Sequence, residues 1–348
     1  MYNYIFTTHN THKMKQKALI TGITGMVGSH LSDFLLKKTD WDVHGLCRWR
    51  SPLINLESQI ERIDAGERLY LHYADLRDPI SIDAVTSKIQ PDYIFHLAAQ
   101  SFPKTSFDSP LDTYETNIQG TESILNSARK FCPKAKIHIC ASSEVFGRVS
   151  QDKLPIDEEC SFHPASPYAI SKVATDLIGR YYAEAYDMTV MTTRMFTHTG
   201  PRRGDVFAES SFAKQIALIE AKKQEPTILV GNLESLRTWA DVRDAVRAYY
   251  MLVTENPVPG EYYNIGGTFT CTVAEMLQKL ISLTDEKVEI KVDPDRLRPI
   301  DADLQVPDTS KFTNHTGWKP EYTFNQTMED LLNYWRDRVK KDNAIINR

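Results

Sequence analysis

The sequence predicts an α/β protein built on a doubly wound parallel sheet, with a smaller C-terminal domain interleaved with it. Three features predict this. A short apolar run from Lys17 to Thr21 leads into glycines at 22, 25 and 28, and then into Val27, Leu31, Phe34 and Leu35 at helical spacing. Further apolar runs alternate with amphipathic stretches as far as Phe196. Beyond Phe196 the alternation becomes irregular, as a second unit would make it.

Taken in order, the strands after the first are WDVHGLCR, LYLHYADL, DYIFHLAAQ, KIHICASSEVFG and MTVMTTRMF, with helices over roughly 78–90, 112–131 and 168–186. Short apolar runs suit strands covered by helices on both faces. After 196, SSFAKQIALIEAKK reads as a helix, TILVGN as a strand, ADVRDAVRAYYMLV as a helix and EYYNIGG as a strand. VAEMLQKLISL, KVEIKV and FNQTMEDLLNYWRDRV follow as helix, strand and helix. This divides the chain into a disordered extension over 1–15 and a Rossmann-type dinucleotide domain over 16–196 plus about 227–267. A second domain covers 197–226 plus 268–348.

The 348 residues carry 41 basic and 46 acidic side chains, a formal net charge of −5. That balance argues against general nucleic-acid binding, which needs a basic surface. Five scattered cysteines with no C-x-x-C pair point to a reducing, cytoplasmic setting without thiolate metal sites. No apolar run approaches the length of a membrane span, and the polar N-terminus lacks the apolar core of a signal peptide.

In the G-x-x-G-x-x-G turn, Gly22 permits the tight bend, Gly25 lets the backbone approach a pyrophosphate, and Gly28 allows close helix packing. The helix that begins there turns its N-terminus towards the negative charge. At the end of the second strand an acid would bind the ribose hydroxyl of NAD. The chain instead has Arg48 and Arg50 around Trp49, which suits the 2′-phosphate of NADP. Asp75 and Leu76 end the third strand, where an adenine ring fits. Leu97, Ala98 and Ala99 end the fourth strand with little bulk, so the cofactor can run close to the backbone.

Tyr168 and Lys172 are four apart in SPYAISKVATDLI, and so share one helix face. A phenol of ordinary pKa near 10 is a poor base at neutral pH. A nearby ammonium and the positive nicotinamide ring are expected to lower it. Ser142, Ser143 and Glu144 end the fifth strand. There the Ser142 hydroxyl can orient a substrate oxygen beside Tyr168. His198 has no second histidine or acid at ligand spacing, so no metal site is expected.

TGITGMVGSHL, HLAAQ, the N-I-Q-G-T segment, ASSEVFG and SPYAISK together resemble the extended short-chain dehydrogenase/reductase family, from about Lys17 to Arg338. CRWRSP, HLAAQS, SSE, PRRG, GNLESLRTW and LRP resemble its GDP-mannose 4,6-dehydratase branch, and look most like the bacterial GDP-D-glycero-D-manno-heptose 4,6-dehydratases. Several C-terminal segments also resemble GDP-4-keto-6-deoxymannose reductases.

The resemblance implies an NADP enzyme, a dimer or tetramer, acting on a GDP-sugar. Tyr168 takes the C4 hydroxyl proton as hydride passes to NADP, and Lys172 holds the nicotinamide ribose. Ser142 stands where the branch usually has Thr. Glu144 removes the C5 proton and, with Ser143, helps water leave C6, after which the hydride returns there. Thr24, Met26, Val27, Gln100, Met195, His198 and Arg203 join the residues above as implied cofactor contacts. Ser101, Ser142, Glu144, Thr197, Lys214, Arg237, Arg298 and Asp301 are the implied substrate contacts. Thr197 departs from the branch's Asn before the histidine, and Asp301 from its Glu after R-P; both favour a modified sugar such as a heptose. A 4-ketoreductase using NADPH and a nucleotide-sugar epimerase are the alternative readings.

Overall fold

The computed structural model describes residues 15–300 and 302–341. The extension expected over 1–15 therefore lies, but for Lys15, outside the described residues, as does Asp301. Six strands come first: β1 Lys17–Thr21, β2 Asp42–Cys47, β3 Leu69–Tyr73, β4 Tyr93–His96, β5 Lys136–Cys140 and β6 Val190–Met195. They are followed by β7 His198–Thr199, β8 Thr227–Val230, β9 Leu236–Asp241, β10 Tyr262–Ile265, β11 Phe269–Thr272, β12 Glu289–Val292 and β13 Leu304–Gln305.

The main sheet is wholly parallel in the order β10-β6-β5-β4-β1-β2-β3. Chain order reverses between β1 and β4, which opens a crevice at the carboxyl ends of those strands. Alternate residues feed opposite cores. Ala18 and Ile20 meet Leu31, Leu35, Val246 and Tyr249, from the helices Met26–Lys38 and Val242–Thr254. Leu19 and Ile94 meet Ile82, Leu125 and Tyr182, from helices on the other face. The expected strands and the helices at 79–89, 110–131 and 167–186 are thus in place.

The division after residue 226 differs from the expected one. The strands β8 and β9, placed by sequence with the dinucleotide domain, pair outside the main sheet: β8 with β12, and β9 with β11, β13 and β7. Conversely Phe312 and Trp318, placed with the second domain, pack into the first core. The Trp318 indole donates to the Asp244 carbonyl at 3.2 Å. Isolated apolar runs do not reveal which sheet a strand joins, because partner choice is made at long range.

The helix Pro167–Tyr186 is tied to β6 by a buried ion pair. Arg194 Nε donates to Asp176 Oδ2 at 2.7 Å, Nη2 to Oδ1 at 3.3 Å, and Nη1 to the Glu158 carbonyl at 2.7 Å. Removing one partner leaves a buried charge without its counterion. Asp176→Ala is therefore expected to cost about 3–5 kcal/mol of stability in denaturant titration, whereas a neutral result would mean that the helix is held by apolar packing alone.

Candidate functional site

The glycine turn is sterically obligatory. A Cβ on Gly28 would lie 2.3 Å from the Gly22 carbonyl oxygen, and one on Gly22, at φ +73°, would lie 2.9 Å from Ala98 Cα. Gly25 caps the helix Met26–Lys38 with no side chain over its first N–H groups. Met26 is buried, while Thr24 turns its carbonyl towards the Asn55 amide at 3.0 Å. Val27 packs against the core as the helix begins. The fit for a pyrophosphate is one of bare backbone at a helix N-terminus.

Across the crevice, Thr21 Oγ1 accepts the N–H groups of Leu97 and Ala98, both at 3.0 Å. Its own proton then goes to His96 Nδ1 at 3.0 Å, which leaves His96 Nε2–H to donate to Thr121 Oγ1 at 3.2 Å. Thr121 donates in turn to the Asn117 carbonyl at 2.6 Å. Burial, and then the Lys172 ammonium, push His96 down to about 3, so it is neutral as this relay requires. Asn117 stands in a π-helical turn, Glu115–Gln119, inside the long helical stretch. Its side chain accepts the Gln100 N–H and donates to Ser171 Oγ and to the Gln100 carbonyl. The segment Leu97–Gln100 is thereby clamped. Ala99 and the exposed Ser101 complete the loop to the helix Pro103–Asp108.

Arg48, Trp49 and Arg50 stand exposed after β2 and, with Tyr73, Ala74, Asp75, Asp78 and Ser81, line a pocket of about 620 Å³. Trp49, 77% exposed, meets Tyr73 edge-on. The Asp75 carboxylate is taken by Arg77 at 3.0 Å, which holds it below the usual range, with Arg48 adding to the effect. The charge left for a ligand at this end is positive. Leu76 is buried, and a Cβ on Gly120 would lie 2.8 Å from its own Cβ.

The remaining predicted groups converge at the carboxyl end of β5. Ser166 caps the helix Pro167–Tyr186 by accepting the Ala169 N–H at 3.0 Å, and Ser106 accepts the Tyr168 N–H at 3.1 Å. Lys172, 6% exposed, donates to the Cys140 carbonyl at 2.6 Å and lies 6.0 Å from the Tyr168 ring centroid. Ser142 accepts the Glu144 N–H at 3.2 Å and starts the short helical turn Ser143–Phe146, in which Ser143 is buried. Ser142 and the Glu144 charge both act on the Tyr168 phenol, in opposite directions.

The protein surroundings of the phenol work against the expected lowering. Among this chain's own groups, burial dominates and pushes the Tyr168 phenol up rather than down. Ser142 and the Arg203 guanidinium draw it back. Arg203 pairs with Glu209 at 3.0 Å and stacks on Phe207. Arg203 is therefore a second cation at the phenol, a role the sequence reading did not give it.

Met195 is buried at the end of β6. His198 Nδ1 pairs with the Phe196 carbonyl at 3.1 Å, and burial together with Arg203 holds its pKa down to about 4. No group of three or more metal-ligating side chains occurs among the described residues. Thr197 is half-buried, and its carbonyl accepts the Ala240 N–H at 2.9 Å. Arg237 Nη1 lies 3.7 Å from Glu144 Oε1. Lys214 is paired with Asp205 at 2.8 Å. Arg298 follows the turn Pro294–Arg296 in the second unit. Sequence reasoning missed Thr21, His96, Asn117, Ser106 and Ser171. Thr21 and His96 stand at strand ends and Asn117 in the N-I-Q-G-T segment, which was their only signal; Ser106 and Ser171, on helices, gave none.

A parallel sheet with a glycine turn at its switch point, and a Ser, Tyr and Lys set at the end of the fifth strand, define an extended short-chain dehydrogenase/reductase. The family model for GDP-mannose 4,6 dehydratase matches residues 19–331, and the chain belongs to that family. A GDP-mannose 4,6 dehydratase of Drosophila melanogaster is 33% identical over 342 residues, covering 90% of this chain and 85% of that protein. A GDP-6-deoxy-D-mannose reductase of Pseudomonas aeruginosa is 28% identical over 330 residues, covering 94% and 100%. The solved structure of RMD from Pseudomonas aeruginosa complexed with NADPH superposes with a TM-score of 0.79 at 27% identity, over 93% of this chain and 100% of that one.

The relay at the switch point carries a direct expectation. Thr21→Val removes the acceptor of two N–H groups and the donor to His96, so stability should fall by about 1–3 kcal/mol. Thr21→Ser should retain most of it. Urea titration checks both, and a Val variant as stable as Ser would mean that the relay is not needed.

Proposed function

We propose that the protein is an NADP-dependent GDP-sugar 4,6-dehydratase acting on a manno-configured sugar, GDP-D-glycero-D-manno-heptose or GDP-mannose. The observation that carries this is the convergence of Glu144 with Tyr168: a carboxylate whose charge reaches the phenol, on a backbone whose N–H is held by Ser142 Oγ. NADP fits the glycine turn and the Arg48–Arg50 end. When bound, it supplies a hydride acceptor at C4 and donor at C6, so it is not consumed.

The chain's own residues then move protons. Tyr168 takes the C4 hydroxyl proton, with Ser142 orienting that oxygen and Arg203 and Lys172 favouring the phenolate. Oxidation at C4 makes the C5 hydrogen acidic, and Glu144 removes it. Ser143, buried beside Glu144, supports departure of the C6 hydroxyl as water. Arg237 and Arg298 supply fixed charge for the diphosphate. Thr197 and Asp301 are the positions through which a heptose would be favoured.

A reductase of GDP-4-keto-6-deoxy sugars is the second reading, motivated by the full-length likeness to the Pseudomonas aeruginosa reductase. It needs no C5 base, and Glu144 argues against it. A homo-oligomer, dimer or tetramer, is supported by Ile170, Leu177 and Tyr181, exposed on the helix Pro167–Tyr186. No helix among the described residues is long and apolar enough to cross a membrane. All five cysteines are unpaired, which supports a cytoplasmic setting.

The chemistry is tested by two variants. Glu144→Gln keeps shape and loses the base, so dehydration should drop about 10²–10⁴-fold while NADPH accumulates on the enzyme. Tyr168→Phe should form no NADPH at all. Dehydration by Glu144→Gln at the wild-type rate would remove Glu144 from the mechanism.

Cofactor choice is tested by calorimetry. Replacing Arg48 and Arg50 together by Ala should weaken NADP binding by about 1.5–3 kcal/mol and leave NAD binding little changed. Equal wild-type affinities for the two cofactors would contradict the proposal.

A further inference from the structure

Glu144 and Arg237 come from different sheets. Glu144 stands in the turn after β5 of the main sheet, and Arg237 stands on β9 of the second sheet. Their contact, Nη1 to Oε1 at 3.7 Å, crosses the seam between the two, and each side chain is only 14% exposed. The two ends are held unequally. On the second-sheet side, β9 is flanked at Arg237 by Cys271 of β11 and by Gln305 of β13, so ladders on both edges fix its main chain. Nη2 is anchored further by the Ala302 carbonyl at 3.3 Å. On the other side, the backbone of Glu144 is set by Ser142, but the carboxylate reaches beyond that turn to meet the guanidinium.

We infer that Arg237 is a positioning residue for Glu144, holding the base from across the seam in addition to serving the diphosphate. This rests on the dehydratase reading. A guanidinium has five N–H donors in a fixed plane. One edge can hold a carboxylate while others face an anionic ligand. The benefit to the reaction is in placement. Placement matters because an error of about 1 Å in a reacting group can cost about 10²-fold in rate. The arrangement also ties two events together. A nucleotide sugar that engages Arg237 meets Glu144 in a position fixed by the same side chain.

The role is separable from simple substrate binding. In Arg237→Gln, kcat for dehydration should fall about 10²-fold, NADPH should build up on the enzyme, and solvent deuterium should enter C5 more slowly. Arg237→Lys, which keeps a point charge without the planar fork, should recover part of the rate. Combining Arg237→Gln or Arg237→Lys with Glu144→Gln should cost elimination nothing beyond Glu144→Gln alone, since the residue acts through the base.

The full-length protein is assayed with GDP-mannose and with GDP-manno-heptose, wild type alongside. If KM rises with kcat unchanged and no NADPH appears, Arg237 binds substrate only and the inference is overturned. Additive losses of kcat in the double variants overturn it equally. A wild type that dehydrates neither sugar contradicts the dehydratase reading itself, and this outcome is distinct from a wild type that dehydrates while the variants change only KM.

Discussion

Lys172 is a buried ammonium, and much of the site's construction follows from keeping it there. An ammonium removed from water must find acceptors and avoid other cations. The Cys140 carbonyl at 2.6 Å is its acceptor. Two imidazoles that feel it, His96 and His138, are both held neutral, by burial first, with the ammonium's field adding to it and His96 also acting on His138. A neutral His96 with one fixed tautomer can then sit in the relay from Thr21 to Asn117. That relay in turn clamps the backbone at the switch point, where the cofactor crevice opens. Charge, tautomer and backbone position are therefore one linked arrangement.

The phenol shows the same logic with the opposite sign. Burial raises the Tyr168 pKa, so a proton-accepting role requires positive charge close by. The chain brings Lys172 along the same helix and Arg203 from the loop after β7. That loop is itself moored to the first helix. Arg202 pairs with Asp33 at 2.7 Å, and His30 Nε2 meets the Pro201 carbonyl at 3.1 Å. The helix behind the glycine turn and the residue beside the phenol are thus mechanically connected. Below, Asp176 and Arg194 keep the helix Pro167–Tyr186 against β6.

The main sheet and the core of the candidate site were readable in the sequence because their signals are local. A strand, three glycines and an amphipathic helix lie within about twenty residues of one another. Tyr168 and Lys172 fall on one helix face by spacing alone. What escaped was long-range. The partners of β8 and β9, the return of Phe312 and Trp318 to the first core, and the contact of Arg237 with Glu144 depend on sheets that close over many residues. The upward push of burial on Tyr168 escaped for a related reason: depth of burial is a property of the whole fold, and a four-residue spacing carries no information about it. Arg203 was read as a cofactor contact, and its effect on the phenol becomes visible only once the loop is placed.

Dehydration and reduction make different demands on the same scaffold. On the proposed reading both use Tyr168 and Lys172, but only elimination needs a base at C5 and a cofactor that ends as it began. Wild-type protein should therefore be incubated with GDP-mannose and with GDP-manno-heptose, separately and without added cofactor, and the products weighed by mass spectrometry. The account predicts loss of one water from at least one of the two sugars, with no net consumption of cofactor. No loss of water from either, together with stoichiometric NADPH oxidation on a GDP-4-keto-6-deoxy sugar, would contradict it.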